Sequence, residues 1–225
     1  MARGACRSPI WRRRHDRGPG LPRPAKRWAS HSCGYSSAVL DVEALAGLLR
    51  PPQTLRTDRL VLESLGPQHL EGSWLGVQDE EGRRLTGTHA TFTREQIAGW
   101  LNRIGDEPDR ADWAIVRADT AEHVGEAVLN DLDLPNACMS FRIALLPQAI
   151  GRGYGTEATR AVVDHGFAVL GLHRIELEVY AFNSRAQRVY EKCGFAVEGR
   201  RRDALRWEGT WYDAITMAVL ETDPR

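Results

Sequence analysis

A glycine-rich turn, Gly151-Arg-Gly-Tyr-Gly-Thr, lies between a predicted strand and a predicted helix, and it constrains the fold more than any other segment. Apolar residues alternate before the turn and recur at helical spacing from about Gly155 to Leu170. Glycine permits a tight turn and a close approach of the backbone to a ligand. The free N–H groups and positive dipole end of the new helix favour an anion. The turn therefore predicts a phosphate site, to which Arg152 adds a cation, with a plain tight turn as the alternative.

Two other phosphate-binding motifs with similar glycine spacing do not fit this turn. It has no Lys-Ser or Lys-Thr pair, which a nucleoside-triphosphate loop requires. It also lacks the full Gly-x-Gly-x-x-Gly that opens the βαβ unit of a dinucleotide-binding fold. The sequence thus favours a different ligand that carries phosphate.

From about Leu55 the hydrophobic pattern is that of a mixed α/β domain. Thr93 and Gln96 have the spacing of a capping box at the start of a helix. Turn residues at 130–136 separate two predicted strands and indicate a hairpin. Two more strands are predicted at 196–199 and 211–219. The predicted order is β-α-α-β-β-β-α-β-α-β-β, an α/β (layered α+β) fold.

The formal net charge of zero is the sum of two unlike parts. Residues 1–50 carry a charge of +7 and the remainder −7. Because residues 1–52 are rich in Arg, Pro and Gly, we expect a disordered basic arm before a domain at 53–225. Three explanations of the arm stay open: an alternative translation start, a tail that contacts RNA or another polyanion weakly, and an organelle transit peptide.

Composition disfavours several classes of protein. No apolar run approaches the roughly 20 residues that a transmembrane helix needs, and no secretory signal is recognisable. Cys6, Cys33, Cys138 and Cys193 are scattered, without the spacing of a zinc site or a disulfide framework. The sequence therefore predicts a cytoplasmic protein without a metal or a membrane partner. Binding to nucleic acid is expected only as weak contacts of the arm.

The segment from Ile143 to Phe195, which includes the glycine turn and VYEKCGF, resembles the GCN5-related N-acetyltransferase (GNAT) superfamily. It is most similar to the Rim-type branch, the bacterial N-terminal acetyltransferases of ribosomal proteins. The opening LRTDRLVLESL and the ending RRDALRWEGTWYDAITMAVL agree with that branch in order, so the resemblance covers about Leu55 to Leu220. It implies a mixed central sheet of about six to seven strands with a splayed central pair, and about four helices.

The resemblance implies that acetyl-CoA is the co-substrate and that its pyrophosphate lies at the glycine turn. In the family pattern Gln/Arg-x-x-Gly-x-Gly/Ala, the first position falls on Ile150, a departure, and a second register begins at Gln148. We expect the departure to matter little, since backbone N–H groups hold the phosphates. Asn183 matches the asparagine that opens the next helix in the family and contacts coenzyme A. Its residue type also suits the N-cap of that helix. The implied cofactor-binding residues belong to the strand before the turn, the turn itself and the start of the next helix: Ile143, Ala144, Leu145, Gly151, Arg152, Gly153, Tyr154, Gly155, Thr156 and Asn183.

The resemblance also implies which residues transfer protons. Tyr190 matches the family tyrosine that protonates the departing thiolate, although its helical spacing also suits the edge of the core. Glu178 matches the glutamate proposed as the base, 12 residues before the tyrosine, with a solvated carboxylate as the alternative. Glu126 is the second candidate and a chain of waters is the third. Cys193 has no adjacent histidine, which disfavours a covalent acyl-cysteine intermediate.

These residues predict direct transfer of acetyl to a primary amine in a ternary complex, preferably to the α-amine of a protein or peptide. A small amine, such as a polyamine, an amino acid or an aminoglycoside, is the alternative. A second alternative is not an enzyme: a non-catalytic acyl-CoA-binding module whose basic arm engages RNA or a partner protein. The domain charge of −7 favours a cationic acceptor. Trp207, Tyr212 and Asp213 are weak candidates for the acceptor groove, and a homodimer is left open.

Overall fold

The computed structural model describes residues 47–224, which form one sheet of eight strands with five complete α-helices. The strands are β1 (Leu55–Arg56), β2 (Leu60–Ser64), β3 (Ala111–Arg117), β4 (His123–Asp133), β5 (Cys138–Leu145), β6 (Arg174–Tyr180), β7 (Ala196–Trp207) and β8 (Thr210–Leu220). The helices are α1 (Leu70–Gln78), α2 (Glu80–Thr86), α3 (Arg94–Leu101), α4 (Tyr154–Ala168) and α5 (Ser184–Lys192). In this part of the chain no helix has both the length and the apolar character to cross a bilayer. The predicted mixed α/β fold is confirmed.

The strands follow the order β1-β2-β3-β4-β5-β6-β8-β7 across the sheet. Neighbours are antiparallel except β5 and β6, which are parallel. Their parallel pairing is short, since it joins only residues 138–140 to residues 174–176. Beyond Ser140, β5 pairs with β4 alone. The two central strands therefore diverge, as expected from the resemblance, and leave an opening in the middle of the sheet.

Helices pack on both faces of this sheet. On one face, His165 of α4 contacts Trp113 of β3 edge to face, with ring centroids 5.7 Å apart. On the same face, α4 approaches β6 so closely that a Cβ atom on Gly166 would lie 2.7 Å from Cδ1 of Ile175. On the other face, Ser73 of α1 donates a hydrogen bond to Glu126 of β4. We call these the α4 face and the α1 face.

Local sequence signals explain where several elements begin and which side of them is buried. Thr93 and Gln96 form the predicted capping box of α3, since each side chain accepts a hydrogen bond from the other residue's amide. In β6, Ile175, Leu177 and Val179 are buried, whereas the residues between them are partly exposed. The alternation predicted from the sequence thus places the apolar side of β6 on the core.

Two elements were not predicted. The short β1 pairs with β2 and makes eight strands where six to seven were expected. A third helix, α2, lies between β2 and β3, where two were expected. Asp79 begins this helix by accepting a hydrogen bond from the amide of Gly82 (2.8 Å). Because no residue of α2 is buried, the helix carries no apolar stripe from which it could be recognised.

The first described residues already belong to the folded domain. Leu49 is fully buried in the core, although it precedes the predicted domain boundary. Nη1 of Arg50 donates a hydrogen bond to the carbonyl of Asp106 (3.1 Å). Apart from residues 47–52, the predicted disordered arm lies outside the described residues, and the boundary after residue 52 stays a prediction.

Candidate active site

The glycine turn forms the start of α4. Gly151 and Gly153 have φ values of 80° and 84°, in the left-handed region that side chains disfavour. Gly153 is the N-cap of α4, whose first residue is Tyr154. The first N–H groups of a helix have no acceptor within the helix and lie at the positive end of its dipole. Since residues 151–153 are exposed, these N–H groups form a cradle that an anion can reach.

The free edge of β5 leads directly to this cradle. Ile143, Ala144 and Leu145 pair with β4 on one side and border the opening on the other. Leu145 also packs below the first turn of α4, because a Cβ atom on Gly155 would lie 3.5 Å from its Cδ1. The strand edge and the start of α4 are thus neighbours, and both offer backbone polar groups. Two such groups of donors and acceptors suit a ligand that joins phosphates to an amide-containing chain.

Asn183 lies at the start of α5. Its Oδ1 accepts a hydrogen bond from the amide of Ala186 (3.1 Å), so it is the N-cap of the helix. Its backbone amide donates to the carbonyl of Tyr180, the last residue of β6 (2.8 Å). Within residues 47–224 its Nδ2 has no hydrogen-bond partner, so that group can donate to a ligand near the end of β6.

Tyr190 lies on the α4 face where β5 departs from β6. Its ring contacts Phe141 edge to face, with centroids 6.4 Å apart, and Phe141 is the first β5 residue beyond the parallel pairing. Tyr190 is only 7% exposed, and its hydroxyl bonds to no group among residues 47–224. Burial raises the pKa of Tyr190, with a smaller contribution from Cys193. The hydroxyl therefore stays protonated at neutral pH and has a hydrogen bond to offer.

Glu126 lies on the α1 face of β4, directly opposite Ala144 of the free segment of β5. Ser73 of α1 donates a hydrogen bond to its Oε1. Burial raises the pKa of Glu126 to about 7, and the hydrogen bond from Ser73 opposes this rise. A carboxyl group with a pKa near the working pH is suited to general base catalysis.

Two charged residues of the neighbouring chain segment act on Glu126. Asp112 of β3 raises the pKa of Glu126, and Arg110 lowers it. The guanidinium of Arg110 binds both oxygens of Asp112, from Nε and from Nη2, each at 2.6 Å. Because these opposite charges are paired, their effects on Glu126 oppose each other, and burial is the main cause of its high pKa.

Glu178 lies on β6, on the other side of the opening from Glu126. Its carboxylate forms an ion pair with Arg201 of β7. The Glu178 side chain is 21% exposed and that of Arg201 is 56% exposed. The Glu178 carboxylate is therefore partly accessible to solvent, but it is already paired with the Arg201 guanidinium.

Three residues near the site were not identified from the sequence. Ser73 contacts Glu126 across 53 positions of the chain. Arg59, just before β2, binds Glu157 in the first turn of α4 across 98 positions. Residues so far apart leave no periodic or spacing signal, and a single sequence offers no other means to pair them.

The weak candidates for an acceptor groove lie on the last hairpin. Trp207 stacks on His89, with centroids 4.9 Å apart. Tyr212 contacts Phe182, also at 4.9 Å. Asp213 accepts hydrogen bonds from Arg200 and from the amide of Asp203. In the described part of the chain, these three residues make no hydrogen bond, ion pair or ring contact with Glu126 or Tyr190.

Cys193 is a poor nucleophile in this environment. Its Sγ donates to the carbonyl of Thr156 (3.6 Å). Burial raises the pKa of the Cys193 thiol to about 11. A thiol that is protonated at neutral pH attacks acyl groups slowly, which agrees with the sequence argument against an acyl-cysteine.

Comparison with known proteins identifies the family. The family model for an acetyltransferase (GNAT) domain matches residues 59–196. The chain belongs to the GNAT acetyltransferase family. An uncharacterized N-acetyltransferase of Bacillus subtilis, YoaA, is 28% identical over 170 residues, which are 74% of this chain and 96% of that protein. Spermidine N(1)-acetyltransferase of Escherichia coli is 30% identical over 118 residues, which are 52% of this chain and 62% of that enzyme.

Solved structures share this GNAT fold. Spermidine N-acetyltransferase from Vibrio cholerae, in complex with CoA and spermine, has a TM-score of 0.69 at 21% identity, covering 74% of this chain and 98% of that chain. Members of the family use acetyl-CoA, so the protein is an acetyl-CoA-dependent N-acetyltransferase. The backbone cradle and the free edge of β5 fit that co-substrate. Membership in the Rim-type branch stays a prediction.

Proposed function

We propose that this GNAT protein transfers acetyl directly to a primary amine, with Glu126 as the general base and Tyr190 as the general acid. One observation carries the proposal: the two residues flank the free segment of β5 from opposite faces. Glu126 lies opposite Ala144 on the α1 face, and Tyr190 contacts Phe141 on the α4 face. A thioester in the opening has a proton acceptor on one side and a proton donor on the other.

The residues around the opening would hold acetyl-CoA along its length. N–H groups of residues 151–156 suit the pyrophosphate, with the Arg152 side chain as a nearby cation. Backbone groups of residues 143–145 suit the pantetheine arm, and Nδ2 of Asn183 offers a further donor. When bound, acetyl-CoA supplies the activated acyl group and the thiolate leaving group.

The proposed reaction has three proton transfers between the reactants and the protein. Glu126 takes a proton from the acceptor ammonium, which frees the nitrogen lone pair to attack the thioester carbonyl carbon. A C–N bond forms and the C–S bond breaks. Tyr190 donates its hydroxyl proton to the sulfur as the thiolate departs. The nitrogen then still carries one proton more than the amide product, and the tyrosinate takes up that proton, which restores the Tyr190 hydroxyl. Glu126 has a pKa of about 7, so it can release the proton that it took from the ammonium to solvent near neutral pH.

Glu178 is the second candidate for the base. It must release Arg201 before its carboxylate can accept a proton, whereas Glu126 has only a neutral partner, Ser73. We therefore propose that Glu178 and Arg201 line the acceptor side of the opening. A chain of waters that connects the amine to either carboxylate is the third option.

For the acceptor we propose the α-amine of a protein or peptide, in line with the resemblance to the Rim-type branch. The names of two groups of relatives, spermidine N(1)-acetyltransferases of Vibrio cholerae and Escherichia coli, support a polyamine as the alternative. Both acceptors are primary amines, so the chemistry at Glu126 and Tyr190 is the same.

Release of the CoA thiol, measured over a panel of acceptors, tests the proposal. The panel contains peptides with a free N-terminus, the same peptides with a blocked N-terminus, spermidine, spermine and an aminoglycoside. We expect thiol release with the free peptides, and mass spectrometry should locate acetyl on their α-amine. A higher kcat/KM for a polyamine would contradict the proposed acceptor. Binding of CoA without turnover of any amine would favour the non-catalytic module.

A further inference from the structure

Arg59 and Glu157 connect the chain before β2 to the first turn of α4. Oε1 of Glu157 accepts hydrogen bonds from Oγ1 of Thr57 (2.6 Å) and from the amide of Arg59 (2.9 Å). Oε2 of Glu157 accepts from Nε of Arg59 (2.8 Å) and lies 2.5 Å from its Nη2. The carboxylate is thus held by four donors from one short segment. Thr57 and Arg59 thereby fix the position of the helix start.

The same guanidinium also contacts the glycine turn itself. Nη1 of Arg59 donates to the carbonyl of Arg152 (3.0 Å). The guanidinium carbon lies 4.9 Å from the centre of the Tyr154 ring, in a cation–π arrangement. Nη2 lies 3.2 Å from the position that a Cβ atom on Gly153 would occupy. Arg59 therefore touches three successive residues of the turn that forms the anion cradle.

Glu157 would oppose an anion in that cradle if it were left unpaired. A carboxylate in the first turn of a helix is favourable in the free protein because it interacts with the positive end of the dipole. A second negative group at the same place is repelled. Burial would raise the pKa of Glu157, but the hydrogen bonds from Thr57 and Arg59 outweigh it and hold the pKa below its usual value. Glu157 is thus ionised at neutral pH, and Arg59 is the cation that neutralises it.

We propose that Arg59 is a positioning residue for acetyl-CoA, which holds the 151–156 turn in shape and neutralises Glu157 so that the pyrophosphate can bind. This inference rests on the proposed placement of acetyl-CoA at the turn. Nε, Nη1 and Nη2 of Arg59 all have partners within the protein. Arg59 therefore acts on the phosphates through the turn and through Glu157, and it is not itself a ligand of the phosphates.

A set of four proteins tests both parts of the inference: wild type, R59A, E157Q and the double variant R59A/E157Q. The affinity for CoA is measured by calorimetry without an acceptor, and KM for acetyl-CoA is measured with saturating acceptor. We expect R59A to lower the affinity for CoA about 10-fold and to raise KM for acetyl-CoA by the same factor, the equivalent of about 1.4 kcal/mol. The variant should change kcat less than about 3-fold. The double variant should regain at least about 3-fold of this loss, because the neutral amide that replaces the Glu157 carboxylate no longer repels the pyrophosphate.

A second donor separates this role from a general loss of structure. S-acetyl-pantetheine has the same thioester but neither the pyrophosphate nor the nucleotide. We expect kcat/KM for this donor to stay within about 2-fold of the wild-type value in R59A. R94A is the matched control, because Arg94 is as exposed as Arg59 (49% against 51%) and pairs with Glu71 between α1 and α3. R94A should leave KM for both donors unchanged.

Several results would overturn the inference. They are unchanged CoA affinity in R59A, an equal loss with S-acetyl-pantetheine, and a double variant as weak as R59A. If R59A does not fold, R59Q replaces it, since glutamine keeps a donor for the Arg152 carbonyl but carries no charge. Failure of wild type to bind CoA would instead contradict the proposed placement of acetyl-CoA, whereas a wrong assignment of Glu126 or Tyr190 would leave the calorimetric result intact.

Discussion

Replacement of Glu126 by glutamine removes a charge from a mostly buried site and tests the proposed base. Burial raises the pKa of Glu126 from 4.5 to about 7, and each unit corresponds to about 1.4 kcal/mol. At pH values above 7, the ionised carboxylate therefore lowers the stability of the folded protein by about 3 kcal/mol. Glutamine has nearly the same shape and keeps an oxygen that can accept the Ser73 hydrogen bond. The variant should thus be more stable than wild type at high pH.

The expected pH dependence follows from the direction of the shift. Below pH 4.5 the carboxyl group is protonated in both the folded and the unfolded protein, so its charge does not affect the stability difference. Between pH 4.5 and about 7 the unfolded chain ionises while the folded protein retains the proton, and wild-type stability falls as the pH rises. Above about pH 7 the difference is constant. Free energies of unfolding in urea, measured from about pH 5 to about pH 9, should diverge by about 3 kcal/mol in favour of E126Q.

The same substitution should reduce turnover. Loss of a general base typically lowers kcat by about 10²-fold or more. In wild type, the rise of kcat/KM with pH should have its midpoint near the pKa of Glu126, about 7. Deprotonation of the acceptor amine produces a similar rise, so the profile is measured with two acceptors whose amines differ in pKa. The Glu126 midpoint should be the same for both acceptors, and E126Q should lack it.

E178Q is the matched control for this experiment. Its carboxylate is paired with an exposed arginine, so its removal should give no gain in stability at high pH and a smaller loss of turnover. An E126Q protein with wild-type turnover would refute the assignment of the base. An E126Q protein that is less stable than wild type at high pH would refute the electrostatic reasoning from which that assignment was made.

Three further substitutions and one deletion test other parts of the protein. Y190F keeps the ring that packs on Phe141, so it should lower kcat about 10²-fold with CoA affinity nearly unchanged, and a wild-type kcat would remove the acid assignment. G153A forces a side chain to φ 84° and against Arg59; it should lower thermal stability by about 1–2 kcal/mol and raise KM for acetyl-CoA. In G151A the new Cβ meets open space, so an equal rise in KM there would show that the Arg59 contact is unimportant. Deletion of residues 1–46, which retains the buried Leu49, should leave CoA affinity unaltered, and a large loss would contradict the separation of arm and domain.

Features that depend on residues close in sequence could be predicted. The Thr93–Gln96 capping box, the buried alternation of β6 and the start of α4 after the glycine turn all follow from contacts within a few positions. In the same way, the turn residues 151–156 were recognised because glycine spacing, strand and helix occur together. The divergence of β5 from β6 was predicted from the family resemblance, because the sequence of a strand does not specify which strand it pairs with.

Features that depend on distant contacts could not be predicted. The sequence ranked Glu178 above Glu126 as the base, and the opposite order that we propose rests on the Arg201 ion pair and the Ser73 hydrogen bond, neither of which can be predicted from the sequence. The ion pair of Arg59 with Glu157 could not be predicted for the same reason. Each of these contacts changes the charge or the protonation of a group at the site. The roles assigned to these side chains therefore depend on which residues are in contact, even where the fold is predicted correctly.

The charges around the opening show why the net charge of the domain is a poor guide to its acceptor. The charge of −7 on residues after 50 favoured a cationic acceptor. In the structure, however, Glu178 is paired with Arg201 and Asp213 with Arg200. With a pKa of about 7, Glu126 is neutral in about half of the molecules at neutral pH. A polyamine with several positive charges therefore meets fewer unpaired carboxylates among these residues than the composition suggests. The net charge of the domain is therefore no argument for a polyamine over the α-amine that we propose.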